Sequence, residues 1–219
     1  MIAQDLIQLD IIPLNTSDTV ASALQKMEEL GFVHWPIVEE GLYEGLLSED
    51  LALDNDENTI IENLRHQLIH SSVKSDRHLT DAMRKYGEER VSILPVVNSD
   101  NHFLGYLLPQ DILRSFGQTF GLQAPGSVLV LEVNPYDYAM SQIAQIVESN
   151  DAKILTSYIE ADSDRQKYIV TIRVNYTDLS AIIASFRRYD YTIVDAWHEN
   201  RYERDLKQKF DQFMNYLNM

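Results

Sequence analysis

At 219 residues the chain has room for two domains of ordinary size. Its 34 acidic and 18 basic side chains leave a formal net charge of −16, which argues against a nucleic-acid or anionic-membrane partner, since either needs clustered Lys and Arg. With no cysteine, disulfides, thiolate nucleophiles and Cys-ligated zinc are excluded.

Ile2–Leu14 reads as a short helical turn running into a strand before Pro13. It offers no basic start and no long apolar stretch, so no signal peptide is expected, and a soluble cytoplasmic protein is the default. Ser17-Asp18 offers an N-cap, and Val20, Ala23, Leu24, Met27 and Leu30 recur at helical spacing until Gly31. Phe32–Val38 is a buried strand, Glu39-Glu40-Gly41 a turn, and Leu42–Leu47 a returning strand. Asp50-Leu51 opens the next helix. An acidic loop, Asp54–Asn58, then leads to Ile60, Ile61, Leu64, Leu68 and Ile69, a short helix and strand.

The pattern then repeats, with a helix over Asp76–Tyr86, strands at Val91–Val97 and Phe103–Leu107, and a helix over Gln110–Phe116. Pro36 maps onto Pro95, Gly45 onto Gly105, Val20 onto Leu79 and Asp50 onto Asp111, with an offset that drifts only by hairpin length. Gly117–Gly126 holds three of the eight glycines and marks a boundary. Beyond it come a strand at Val128–Val133, a helix at Asp137–Glu148, a hairpin of Ile154–Ile159 with Tyr168–Val174, a helix at Asp178–Arg187 and a strand at Tyr191–Trp197. This βαββαβ order implies an antiparallel sheet with both helices on one face. In Asn200–Met219, Tyr202, Leu206, Phe210, Phe213 and Leu217 fall at helical spacing, a stripe expected to pack on its own chain or a symmetry mate, with a protein-partner contact as the alternative.

The duplicated unit resembles the CBS domain, through Leu94-Pro95-Val96-Val97 with Gly105…Asp111-Ile112-Leu113, and Trp35-Pro36-Ile37-Val38 with Gly45…Asp50-Leu51. The segment from Pro125-Gly126-Ser127-Val128 is similar to an ACT domain, and the order CBS, CBS, ACT resembles the acetoin-utilisation type of CBS protein. The resemblance implies an α/β and α+β chain. A pseudo-two-fold CBS pair would span residues 1–120, with repeats of about 1–55 and 60–118. A ferredoxin-like ACT domain over 125–199 and an amphipathic helix over 200–219 would follow.

It also implies where ligands would bind. In nucleotide-binding CBS pairs the Gly is followed by two apolar residues, Ser or Thr, two further residues and Asp. The hydroxyl and nearby amides meet a phosphate, and the Asp accepts from ribose hydroxyls. The second repeat keeps Asp111 but has Leu108 and Pro109 where the hydroxyl and an N–H would be. The first keeps Ser48, but its acid, Asp50, comes one residue early, turned by about 100° on a helix. His34, near the same cleft, and Leu94 complete the nucleotide-site candidates. AMP, ADP, ATP and S-adenosylmethionine are the candidate ligands. Helix capping explains Ser48, Asp50 and Asp111 without any ligand, and Trp35 reads as core.

In the ACT-like segment the effector loop would be Asn134-Pro135-Tyr136-Asp137-Tyr138, with Asn134, Tyr136 and Asp137 as its candidate contacts. Asn134 or Asp137 as a helix cap is the alternative. His66 and His70 lie four apart but lack a third ligand, so no metal site is expected. No residue group meets the geometric roles of catalysis. The sequence therefore points to a regulatory small-molecule sensor, with a homodimer expected, or alternatively to a ligand-free interaction scaffold.

Overall fold

The computed structural model describes residues 1–119 and 121–197. The chain divides into two units, Met1–Phe116 and Gly117–Met219. His198 and the expected helix over 200–219 lie outside the described residues.

In the first unit, α1 (Val20–Leu30) buries Val20, Ala23 and Met27. Its cap is Thr19, whose hydroxyl accepts the Ser22 N–H at 3.3 Å, rather than Ser17-Asp18. Asp18 instead accepts the Asn15 N–H one turn earlier. Gly31 closes the helix at φ +70°, its N–H bonding to the Met27 carbonyl. β1 (His34–Glu39) and β2 (Leu42–Ser48) form a hairpin, followed by α2 (Glu49–Leu53). The second repeat supplies β3 (Val73–Lys74), α3 (Leu79–Glu89), β4 (Leu94–Val97), β5 (Phe103–Leu107) and α4 (Pro109–Thr119).

Several boundaries depart from the sequence reading. No strand forms before Pro13, where Ala3–Leu6 is a 3-10 turn and Gln8 makes a single bridge to Tyr106. α3 begins at Leu79 because the His78 imidazole, not Asp76, caps it through the Thr80 N–H. β4 begins at Leu94 rather than Val91, and the Ser92 N–H is bonded to the His34 side chain instead of a strand partner.

The two hairpins share one register. Ile37 faces Gly45 and Val96 faces Gly105, and each hairpin shifts register at the next residue. The leaders before the repeats are exchanged. Gln8 bridges Tyr106 of the second repeat, whereas Ile69 bridges Leu46 of the first. Each leader then returns to its own repeat, Leu14 beside Ile37 and Val73 beside Val96. The hairpin tips meet through a Leu42–His102 bridge, flanked by reciprocal bonds from Tyr43 N–H to the Asn101 carbonyl (3.0 Å) and from Phe103 N–H to the Gly41 carbonyl (2.9 Å). Leu42 and His102 are equivalent positions, so this bridge lies on the pseudo-two-fold axis.

Gly45 and Gly105 are required by this exchange. Both have positive φ (+153° and +139°), and a Cβ on either would overlap the crossing leader, at Leu68 or at Ile7 and the Gln8 carbonyl. One core, including Trp35, Ile37, Leu46, Ile93, Val96 and Tyr106, draws on both repeats.

The second unit runs β6 (Ser127–Val133), α5 (Met140–Glu148), β7 (Ile154–Asp162), β8 (Lys167–Val174), α6 (Ser180–Arg188) and β9 (Thr192–Trp197). The antiparallel sheet has the order β7-β8-β6-β9. Leu129, Leu131, Val170 and Ile172 face α5 and α6 through Ile143, Ile146, Val147, Ile182 and Phe186. α5 starts at Met140, three residues later than read from sequence, because Asn134–Asp137 is held in its own turn by the Asp137 N–H on the Asn134 carbonyl.

Candidate ligand-binding sites

The first repeat places His34 beside Ser48 in strand register. Ser48 Oγ accepts the Leu51 N–H at 3.2 Å and so caps α2. Asp50 is exposed in the first turn of that helix; the shared hairpin register makes Leu51, not Asp50 as read from sequence, the equivalent of Asp111, and Leu51 packs against the core. His34 Nδ1 accepts the Ser92 N–H at 3.2 Å, which leaves the imidazole proton on Nε2. Burial pulls the His34 pKa below 6.5, and the Asp50 charge opposes this in part. His34, Ser48 and Asp50 are thus brought together with Ser92, a residue the sequence did not single out.

In the second repeat Asp111 is 8% exposed. Its Oδ2 accepts from Gln8 Nε2 at 3.1 Å and its Oδ1 from Arg114 Nη1 at 2.9 Å. Pro109 is the first residue of α4, where its missing N–H costs nothing. Tyr106 Oη donates to Asp10, and burial, then the Asp10 and Asp111 carboxylates, raises its phenol pKa. Leu94 is fully buried in the core. Gln8 and Asp10 were missed, although Leu6-Ile7-Gln8-Leu9-Asp10-Ile11 holds the signal: two polar residues at alternate positions of an apolar leader.

The second unit contains a cavity of about 260 Å³ where the β6–α5 loop meets the starts of β8 and β9. Asn134 and Asp137 line it together with Glu132, Gln142, Lys167 and Tyr191. Tyr136 does not, being fully exposed. The Asn134 carboxamide joins two opposite charges. Its Oδ1 accepts from Lys167 Nζ at 2.5 Å and its Nδ2 donates to Asp137 Oδ2 at 3.0 Å. Neither Lys167 nor Asp137 enters any ion pair among the described residues. On another wall Tyr191 Oη donates to Gln142 Oε1 at 3.0 Å, and burial, helped by the Asp137 charge, raises the Tyr191 pKa. Lys167 was missed because only the sheet pairing brings the start of β8 beside the end of β6. Among the described residues no cluster of three or more His, Asp or Glu is placed to hold a metal ion. No described helix is long and apolar enough to cross a membrane.

Residues 64–117 match the sequence model of the CBS domain. The first repeat folds its hairpin in the same register, so the first unit has the fold of a CBS domain pair, with mixed α/β content. An uncharacterized protein of Methanocaldococcus jannaschii is 26% identical over 106 residues, 48% of this chain and 40% of that protein, so the match spans well under two thirds of that curated relative. A CBS domain pair/ACT domain protein from Thermotoga maritima is similar at 19% identity and TM-score 0.49, over 54% of this chain and 98% of that one. A putative acetoin utilization protein from Vibrio cholerae is similar at 20% and 0.47, over 56% and 95%. CBSX2, solved in complex with AMP, is similar at 21% and 0.44, over 53% and 96%.

Proposed function

We propose that the protein is a non-catalytic regulatory sensor whose second unit, an ACT-like domain, takes a small zwitterionic effector of the amino-acid class. The observation that carries this reading is the Lys167–Asn134–Asp137 relay on the wall of the cavity. A cation and an anion, neither in an ion pair among the described residues, are held one carboxamide apart. An α-amino acid presents the complementary pair, its carboxylate toward Lys167 and its ammonium toward Asp137. Charge-assisted hydrogen bonds of this kind are roughly twice as strong as neutral ones. Binding would act on the subunit arrangement, for which we propose a homodimer, to the extent that two arrangements differ in affinity.

A thermal-shift screen over the amino acids tests this. A ligand at a hundred times its Kd stabilises by about 2.7 kcal/mol, and Lys167→Met should remove that response. A protein whose stability responds to no amino acid would instead fit the interaction-scaffold reading.

A second reading, an adenine nucleotide or S-adenosylmethionine at the CBS pair, is supported by the nearly buried Asp111 carboxylate. Its Arg114 partner is 68% exposed and so is free to swing away from an incoming ribose. The same screen with AMP, ADP, ATP and S-adenosylmethionine addresses it. Acetoin metabolism as the regulated pathway and the cytoplasm as location belong to the proposal as well.

A further inference from the structure

The charges on the wall of the second-unit cavity do not balance. Glu132, Asp137 and Asp190 line it against one cation, Lys167. An α-amino acid held by the relay brings no net charge, since its carboxylate meets Lys167 and its ammonium meets Asp137. Glu132 and Asp190 are then left over. Asp190 is exposed in the turn between α6 and β9 and enters no ion pair among the described residues. Glu132 is the more enclosed, with a side chain 23% exposed. It meets Arg165 Nη1 only at 3.6 Å, and that arginine is 67% exposed and shared with Asp162. So long and exposed an ion pair contributes little. The strand register also puts Glu132 within reach of a ligand on Lys167. Glu132 pairs with Ile169, so Lys167, two residues earlier on β8, is its diagonal neighbour on the same face. Diagonal neighbours stand about 7–8 Å apart, a gap that a ligand with two charged ends can bridge.

Resting on the zwitterion reading above, we propose that the effector is an amino acid with a cationic side chain, of the lysine, ornithine or arginine class, and that Glu132 is the residue that selects it. The side-chain cation displaces Arg165 and donates charge-assisted hydrogen bonds to the Glu132 carboxylate. Asp190 adds to the negative potential of the cavity. A neutral side chain of similar length leaves Glu132 with its loose arginine and gains nothing there. The cavity, at about 260 Å³, lies below the roughly 300–1,000 Å³ of pockets that hold drug-sized ligands, which suits a free amino acid.

Calorimetric titration of the full-length protein separates this inference from the reading beneath it. L-Lysine, L-ornithine and L-arginine carry all three charged groups, L-norleucine lacks the side-chain cation, and cadaverine lacks the carboxylate. The best of the three basic amino acids is expected to bind about tenfold or more tighter than norleucine. Glu132→Gln should erase that difference by weakening the basic ligand alone. Arg165→Gln, which removes the competing cation, should tighten the basic ligand about threefold and leave norleucine unchanged. Norleucine binding as tightly as the basic amino acids, with Lys167→Met still weakening both, overturns this inference and leaves the zwitterion reading standing. So does binding by another amino acid with no heat from the basic ones. A Glu132→Gln variant that weakens norleucine equally, or an Arg165→Gln variant that weakens the basic ligand, overturns the role of Glu132. Cadaverine binding as tightly as the best basic amino acid, or no heat from any amino acid, overturns both.

Discussion

The backbone N–H of Ser92 in the second repeat donates to Nδ1 of His34 in the first, at 3.2 Å. This bond joins the two repeats of the first unit and is available only to the unprotonated ring. His34 is held neutral first by burial, against the opposing charge of Asp50, so its folded pKa lies below its unfolded value of 6.5. The folded state therefore binds fewer protons than the unfolded state. The stability this contributes is fully present above pH 6.5 and is lost as pH falls through the depressed folded pKa. Melting curves from pH 7.5 to 5 should show the first unit losing more Tm in the wild type than in His34→Gln. Parallel pH profiles for the two proteins would remove His34 from the account.

Glycine at position 105 is a consequence of leader exchange, and it can be tested against glycines that are not. Gly105→Ala places a Cβ against Ile7 and the Gln8 carbonyl at a φ of +139°. It should cost about 3 kcal/mol through overpacking and backbone strain. Gly87, inside α3 with nothing within 4 Å of its Cβ position, should stabilise by about 0.5–1 kcal/mol as Gly87→Ala. Denaturant midpoints of the two variants should move in opposite directions.

Asp111 serves the fold even without a ligand. Asp111→Ala leaves the half-buried Gln8 amide without its acceptor, at an expected cost of about 1 kcal/mol. Arg114→Ala removes only an exposed partner and should stay within about 0.5 kcal/mol of wild type. Comparable losses in urea unfolding for both variants would mean that the ion pair, not the Gln8 contact, fixes this carboxylate.

The duplication was legible because equivalent positions carry equivalent constraints. Pro36 with Pro95 and Gly45 with Gly105 recur at a nearly constant offset, and their hairpins fold in one register. The exchange of leaders was not legible. It rests on single bridges at Gln8 and Ile69, which impose no periodicity on the sequence. The helix starts were misplaced where a cap depended on a local competitor: Thr19 displaced Asp18, and His78 displaced Asp76. Asn134 and Asp137 could be named from their place between a strand and a helix, whereas Lys167 and Tyr191 meet them only across the sheet.

The central claim is that the Lys167–Asn134–Asp137 cavity holds an effector carrying both a carboxylate and an ammonium group. Isothermal titration calorimetry of the full-length protein with the amino acids, repeated on Lys167→Met and Asp137→Asn, tests it most directly. The account predicts saturable binding of at least one amino acid at one site per chain, weakened at least tenfold by either substitution. Undiminished affinity in both variants, or no heat from any amino acid, would contradict it.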